Sequence, residues 1–114
     1  MSLPQDELRV TFPASPTFTR IGRVTVVGIG LRLGIDVSRV EQLRAAVDAA
    51  VTSLQGAGRI STLASWTSDE LTVSIGNPEV EVTDRDTLTK ELWALVGETV
   101  VVEPSEVVMT LPTS

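Results

Sequence analysis

A single helical face does most to limit what this chain can become. Val40, Leu43, Ala46, Val47, Ala50, Val51 and Leu54 recur at steps of three and four, and Gly56 and Gly58 follow as terminators. Ser38 with Glu41 three residues later reads as the capping box that starts this helix. A helix with one apolar stripe needs a second layer to cover it, and the runs on either side supply strands. Leu8 to Phe12 alternates before Pro13 and Pro16, so it reads as a short first strand. Ile60 to Trp66 and Leu71 to Ile75, joined by the polar Thr67 to Glu70, read as an antiparallel pair. Val80 to Val82 reads as a short extended piece. A second helix runs from Thr83 to Val96, with Leu88, Leu92, Leu95 and Val96 inward and Gly97 as its stop. Thr99 to Glu103 and Val107 to Leu111 form a closing hairpin around Pro104 and Ser105.

The segment from Phe18 to Leu33 resists assignment from its residues alone. Its Val, Ile and Thr content and Gly22, Gly28 and Gly30 favour strand. Its periodicity, through Phe18, Ile21, Val24, Thr25, Gly28, Ile29, Arg32 and Leu33, favours a helix ending at Gly34, and the two readings weigh about equally.

Composition excludes several classes of chemistry. The 114 residues contain neither cysteine nor histidine, which removes disulfides, thiolate metal sites and imidazole catalysis. Nine basic against fifteen acidic side chains leave a net charge of −6. Only one of the nine is a lysine, Lys90, so the clustered cations that displace phosphate counterions are missing, and nucleic acid and anionic membranes are poor partners. One small domain, residues 1–114, fits the length. The opening Met1 to Arg9 carries Asp6 and Glu7 and is no signal peptide, and no apolar run reaches membrane-spanning length; a soluble cytoplasmic protein is the expectation.

The motifs that suggest chemistry do not hold up. Val24 to Val27 followed by Gly28, Gly30 and Gly34 looks like a strand entering a dinucleotide loop. The third glycine falls four residues after the second instead of three, and no helix opens directly from it. Ser38, Ser53 and Ser61 have no imidazole to activate them, and Lys90 has no motif around it. The acidic pairs Asp84/Asp86 and Glu103/Glu106 read as solvated charge.

Taken together, Phe12 to Pro16, Arg23 to Val26, Arg32 to Gly34 and Val40 to Ser53 resemble the bacterial anti-sigma factor serine kinases, members of the GHKL (histidine-kinase-like) ATPase fold. The resemblance continues through the hairpin Ile60 to Ile75 and the final helix and hairpin, and so spans nearly the whole chain. It implies an α+β fold: a two-layer sandwich of the GHKL type, with three helices on one face of a mixed, mostly antiparallel sheet and Phe18 to Leu33 helical. Active members of that family carry a catalytic Glu and a magnesium-binding Asn on the helix here spanning Val40 to Leu54. Those positions match Ala49 and Ser53. The family's Asp-x-Gly adenine box matches Asn77 and Glu79, and the long ATP lid with its Gly-x-Gly loop is missing, because only Val80 to Thr87 separate Glu79 from Leu88.

The resemblance therefore implies a truncated, degenerate member: a pseudo-kinase without cofactor or metal, whose vestigial pocket positions are Ala49, Ser53, Asn77 and Glu79. Asp48, beside the missing Glu, is expected to point elsewhere. The remaining role is non-catalytic binding of a protein partner, a sigma factor or a STAS-type antagonist, through the first helix with Arg20 and Arg23; the exposed sheet edge or a homodimer surface comes next. The alternatives are a residual ATP-binding serine/threonine kinase with an atypical site, and a structural subunit that pairs with an active relative.

Overall fold

In a computed structural model that describes residues 6–97 and 99–113, the ambiguous segment is a helix. The reading of Met1 to Arg9 as no signal peptide falls partly on residues 1–5, which lie outside the described residues. The order is β1 (Glu7–Pro13), a 3-10 turn (Pro16–Phe18), α1 (Thr19–Arg32), α2 (Val37–Ser53), β2 (Arg59–Trp66), β3 (Glu70–Gly76), α3 (Arg85–Val96), β4 (Val101–Val102) and β5 (Glu106–Pro112). Three helices lie against one five-stranded sheet of order β1-β2-β3-β5-β4.

Every pairing in that sheet is antiparallel, which corrects the mixed sheet expected from the resemblance. The reason lies in the connections. Two helices join β1 to β2, so the chain reverses an odd number of times and returns antiparallel. One helix joins β3 to β4 and leaves them parallel, but β5 sits between the two and they never pair.

Strand alternation sets the core. Phe12, Ile60, Ala64, Leu71, Val73, Ile75, Val107, Met109 and Leu111 point to the helix layer and are buried. Opposite them lie Val26 and Ile29 of α1, Val40, Leu43, Val47 and Val51 of α2, and Leu88 and Leu92 of α3. Each large apolar side chain fully buried in this layer contributes about 1.5–3 kcal/mol relative to exposure. The opposite face of the sheet carries mostly Thr and Ser: Thr11, Ser61, Ser65, Thr72, Ser74 and Thr110, with Leu63 and Val108 in the middle.

Close approach explains why α1 is a helix in spite of its β-branched content. A methyl group added at Gly22 would meet Thr62 Oγ1 at 3.2 Å and Phe12 Cζ at 3.4 Å, and one at Gly30 would meet Val40 Cγ2 at 3.4 Å. Glycine at these two positions lets the helix backbone sit directly on the sheet and on α2, and that packing outweighs local propensity. The helix ends in a Schellman motif, with Ile35 N–H donating to Gly30 O (3.1 Å) and Gly34 N–H to Leu31 O (3.1 Å).

Two details differ from the sequence reading. The α2 cap is Asp36, whose carboxylate accepts the Ser38 N–H at 3.2 Å and the Ser38 hydroxyl, so Ser38 serves as a donor and no capping box forms. Val80 to Val82 forms no strand; it is a loop tied to the β4–β5 turn by Val82 N–H to Pro104 O (2.7 Å) and Ser105 Oγ to Val80 O (2.8 Å). The α3 start follows the α2 pattern, with the Asp84 carboxylate accepting from Thr87 N–H (3.1 Å) and Thr87 Oγ1 (2.7 Å). Among the described residues, no helix is long and apolar enough to cross a membrane.

Candidate functional site

The α2 helix carries Ala49 and Ser53 one turn apart, half-buried and facing α3. Both line an open groove of about 550 Å³, whose far wall is Leu88 and Glu91 of α3. The Ala49 methyl group offers neither a proton acceptor nor a metal ligand. The Ser53 hydroxyl turns back on its own helix and donates to Ala50 O at 2.7 Å. α3 therefore stands directly beside the two positions, with only residues 78–84 linking Asn77 to its first turn.

Asn77 is taken out of this groove. It is fully buried just past the end of β3, and its side chain satisfies three partners. The amide nitrogen donates to Leu54 O and Ala57 O, each at 2.8 Å, and Oδ1 accepts the Glu79 N–H at 3.0 Å. Its backbone N–H donates to Ser105 O (3.0 Å), and its carbonyl accepts from Val80 N–H (3.2 Å). One residue thus joins the end of α2, the α2–β2 loop, its own loop and the β4–β5 turn, and no side-chain hydrogen is left to offer a ligand. Glu79 is exposed, and its side chain lies over Gly58: a methyl group there would come within 2.8 Å of the Glu79 carboxyl carbon. Of the four positions singled out in the sequence, the structure brings Ala49 and Ser53 together and sets Asn77 and Glu79 apart from them. Sequence reasoning placed Asn77 in a pocket and missed its joining role; the available signal was an Asn before Pro at a strand exit, a turn-forming position.

On the outer side of α1, Arg20 and Arg23 line a shallow depression of about 320 Å³ with Thr17, Thr19, Thr52 and Asp48. They are not equivalent. Arg23 Nη1 donates to Asp48 Oδ2 at 3.1 Å, with side-chain exposures of 33% and 30%, so it bridges α1 to α2. Arg23, expected with Arg20 to face a partner, is thus part-buried and already paired within the chain. The bridge also explains Asp48, which turns toward α1. The second Asp48 oxygen is buried and has no hydrogen-bond partner. Arg20 is exposed, and no hydrogen bond or ion pair engages it among the described residues.

The resolved electrostatic shifts lie at the caps. The Ser38 hydroxyl, then its N–H, holds Asp36 below the ordinary carboxylate range, and the Thr87 hydroxyl, then its N–H, does the same for Asp84. Glu41 hydrogen-bonds Arg44 and raises it further. Among the described residues, no three acidic side chains gather as a metal site. No protein-family model matches the chain, and no curated protein matches it.

Proposed function

We propose that this protein is a non-catalytic regulatory module of the GHKL-like two-layer architecture, related to bacterial anti-sigma factor kinases. In this reading it binds a protein partner, a sigma factor or a STAS-type antagonist, without ATP. The observation that carries the proposal is the closure around Asn77. The side chain at the adenine-box position spends both amide hydrogens on Leu54 and Ala57 carbonyls, and Ala49 and Ser53 face α3 at the position where active members keep their catalytic pair. The placement of three helices against one sheet and the short connection from Asn77 to α3, with no room for a lid, support the same reading.

The partner surface in this proposal is the α1 face around Arg20, the cation left free to pair with an acidic segment. Calorimetric titration with Mg-ATP is expected to give no binding tighter than roughly millimolar. Micromolar binding, or phosphorylation of a STAS-type protein, would overturn the proposal. Capture of a sigma factor or STAS-type protein by the wild type, lost in Arg20→Glu at an unchanged melting temperature, is the supporting result.

A further inference from the structure

The open face of the sheet, on the side away from the helices, holds a trough of about 530 Å³, within the size range of small-ligand sites. Two neighbouring cross-strand rows form it. One runs Arg9, Leu63, Ser74 and Val108, and the next runs Thr11, Ser61, Gly76 and Glu106. The shortest side chains, at Ser74 and Gly76, lie on the central strand β3, so the floor sinks between two walls. Arg9 of β1 forms one wall, and Glu106 of β5 with Glu103 of the β4–β5 turn forms the other. All three charged side chains are exposed, and among the described residues no ion pair or hydrogen bond engages them. The acidic wall is held in place from behind: Glu103 N–H donates to Glu106 O (2.8 Å), Asn77 N–H to Ser105 O (3.0 Å) and Val82 N–H to Pro104 O (2.7 Å). The backbones of the two walls are three strand spacings apart, about 14 Å.

We propose that this trough binds a short peptide with free termini, two or three residues long. Its terminal ammonium lies between Glu103 and Glu106, its carboxylate takes two parallel N–H bonds from the Arg9 guanidinium, and its backbone crosses Ser74 and Leu63. The length fits. An extended chain covers about 3.3–3.6 Å per residue, so three residues span about 10 Å, which is what remains of the gap once side chains reach in from each wall. The floor fits as well, because the Ser74 hydroxyl can donate to a peptide carbonyl or accept from a peptide N–H, and Leu63 offers aliphatic surface to one side chain. A purely cationic ligand would set a like charge against Arg9, and a purely anionic one would meet two carboxylates. A ligand with one charge at each end gains at both walls. The rim is already hydrogen-bonded to β3 and to the loop behind it, so binding needs little further ordering. This site lies across the sheet from the helices and does not rest on the partner surface proposed for α1.

Trialanine is the probe, with N-acetyl-trialanine and trialanine amide as forms that each lose one terminal charge. Titration of the isotope-labelled full chain, followed by amide resonances, is expected to give saturable shifts at Arg9, Leu63, Ser74, Gly76 and Glu106, with a dissociation constant of roughly millimolar or below. Each blocked peptide should bind about tenfold or more weakly, since charge-assisted contacts at one wall are lost. Arg9→Gln should weaken trialanine to the level of its amide and leave binding of the amide unchanged. Glu103→Gln with Glu106→Gln should bring trialanine to the level of the acetylated form and leave that form unchanged. Ser74→Leu fills the floor, keeps every charge and should abolish binding at an unchanged melting temperature. Should a variant fail to fold, the blocked peptides still decide the matter with the wild type alone. An absence of saturable shifts with trialanine overturns the proposal. So does equal binding of the blocked forms, or an Arg9→Gln loss that is the same for trialanine and its amide.

Discussion

The junction around Asn77 and the outer edge of β1 treat backbone polar groups in opposite ways. At the junction, carbonyls from the end of α2, the following loop and the β4–β5 turn converge on one residue or its neighbours, and each finds a donor inside the chain. Along β1, the outward N–H groups of Glu7, Arg9 and Thr11 find none among the described residues. The two regions also differ in what lies beside them. Asn77 sits buried where four segments meet, whereas β1 sits beside a solvent-open groove in which Glu7 and Arg32 flank Leu8, Ile29, Leu33 and Trp66. The contrast separates what the fold consumes from what it leaves available: the Asn77 region is structural, and the free surfaces lie on β1 and α1.

Substitutions should grade along that contrast. The largest effect is expected at Asn77. Asn77→Ala orphans the Leu54 and Ala57 carbonyls and should cost about 3 kcal/mol in denaturant unfolding, and Asn77→Asp, which turns a carboxylate toward those carbonyls, should cost more. A change no greater than that of Arg9→Ala would erase the distinction between the two regions. Arg23→Ala comes next, at about 1 kcal/mol, because it leaves Asp48 half-buried without its cation. In Arg20→Ala the unfolding free energy should change by no more than about 0.5 kcal/mol, so the pair of substitutions separates bridging from exposed arginine on one helix.

The caps give a pH-dependent test of smaller size. Asp36 and Asp84 have folded-state values below those of the unfolded chain, so each contributes stability that is fully present above its unfolded value. That contribution is lost as pH falls through the folded one. Thermal unfolding from pH 7 down to the acid range should therefore show a falling limb. Asp36→Asn, which keeps a cap without the titration, should flatten it with little change at neutral pH. The smallest expected change is in Arg9→Ala stability, within about 0.5 kcal/mol, because its side chain stands on the open face.

How much of this was legible in the sequence depended on how local the cause was. The α2 face, the β2–β3 hairpin and the Gly97 stop, where φ is 98°, follow from periodicity and turn residues within a few positions, and they were readable. α1 was not decidable from its own residues, because the decisive contacts are Gly22 against Thr62 and Gly30 against Val40, which belong to other elements. The α2 start was misassigned by two residues, since Asp36 and Ser38 are both competent caps and only the backbone geometry chooses between them. The same limit applied to the site. Ala49 and Ser53 share a groove because helical spacing is local, whereas the partners of Asn77 and the bridge from Arg23 to Asp48 join segments far apart in the chain. A one-dimensional pattern carries no signal for either.

The register of β1 has a kinetic consequence. Phe12 lies opposite Ile60, with both α1 and α2 in the intervening chain, whereas β2, β3 and β5 assemble through the shorter β2–β3 hairpin and the α3 connection. Closing the longer loop costs more entropy before any contact is made, and the burial of Phe12 against Gly22 of α1 offsets it only once that helix is seated. The folding order that follows has β1 arriving last, onto a β2 edge that until then is open to any strand of the right alternation. Among the described strands, the one nearest the N-terminus is then expected to be the last one placed.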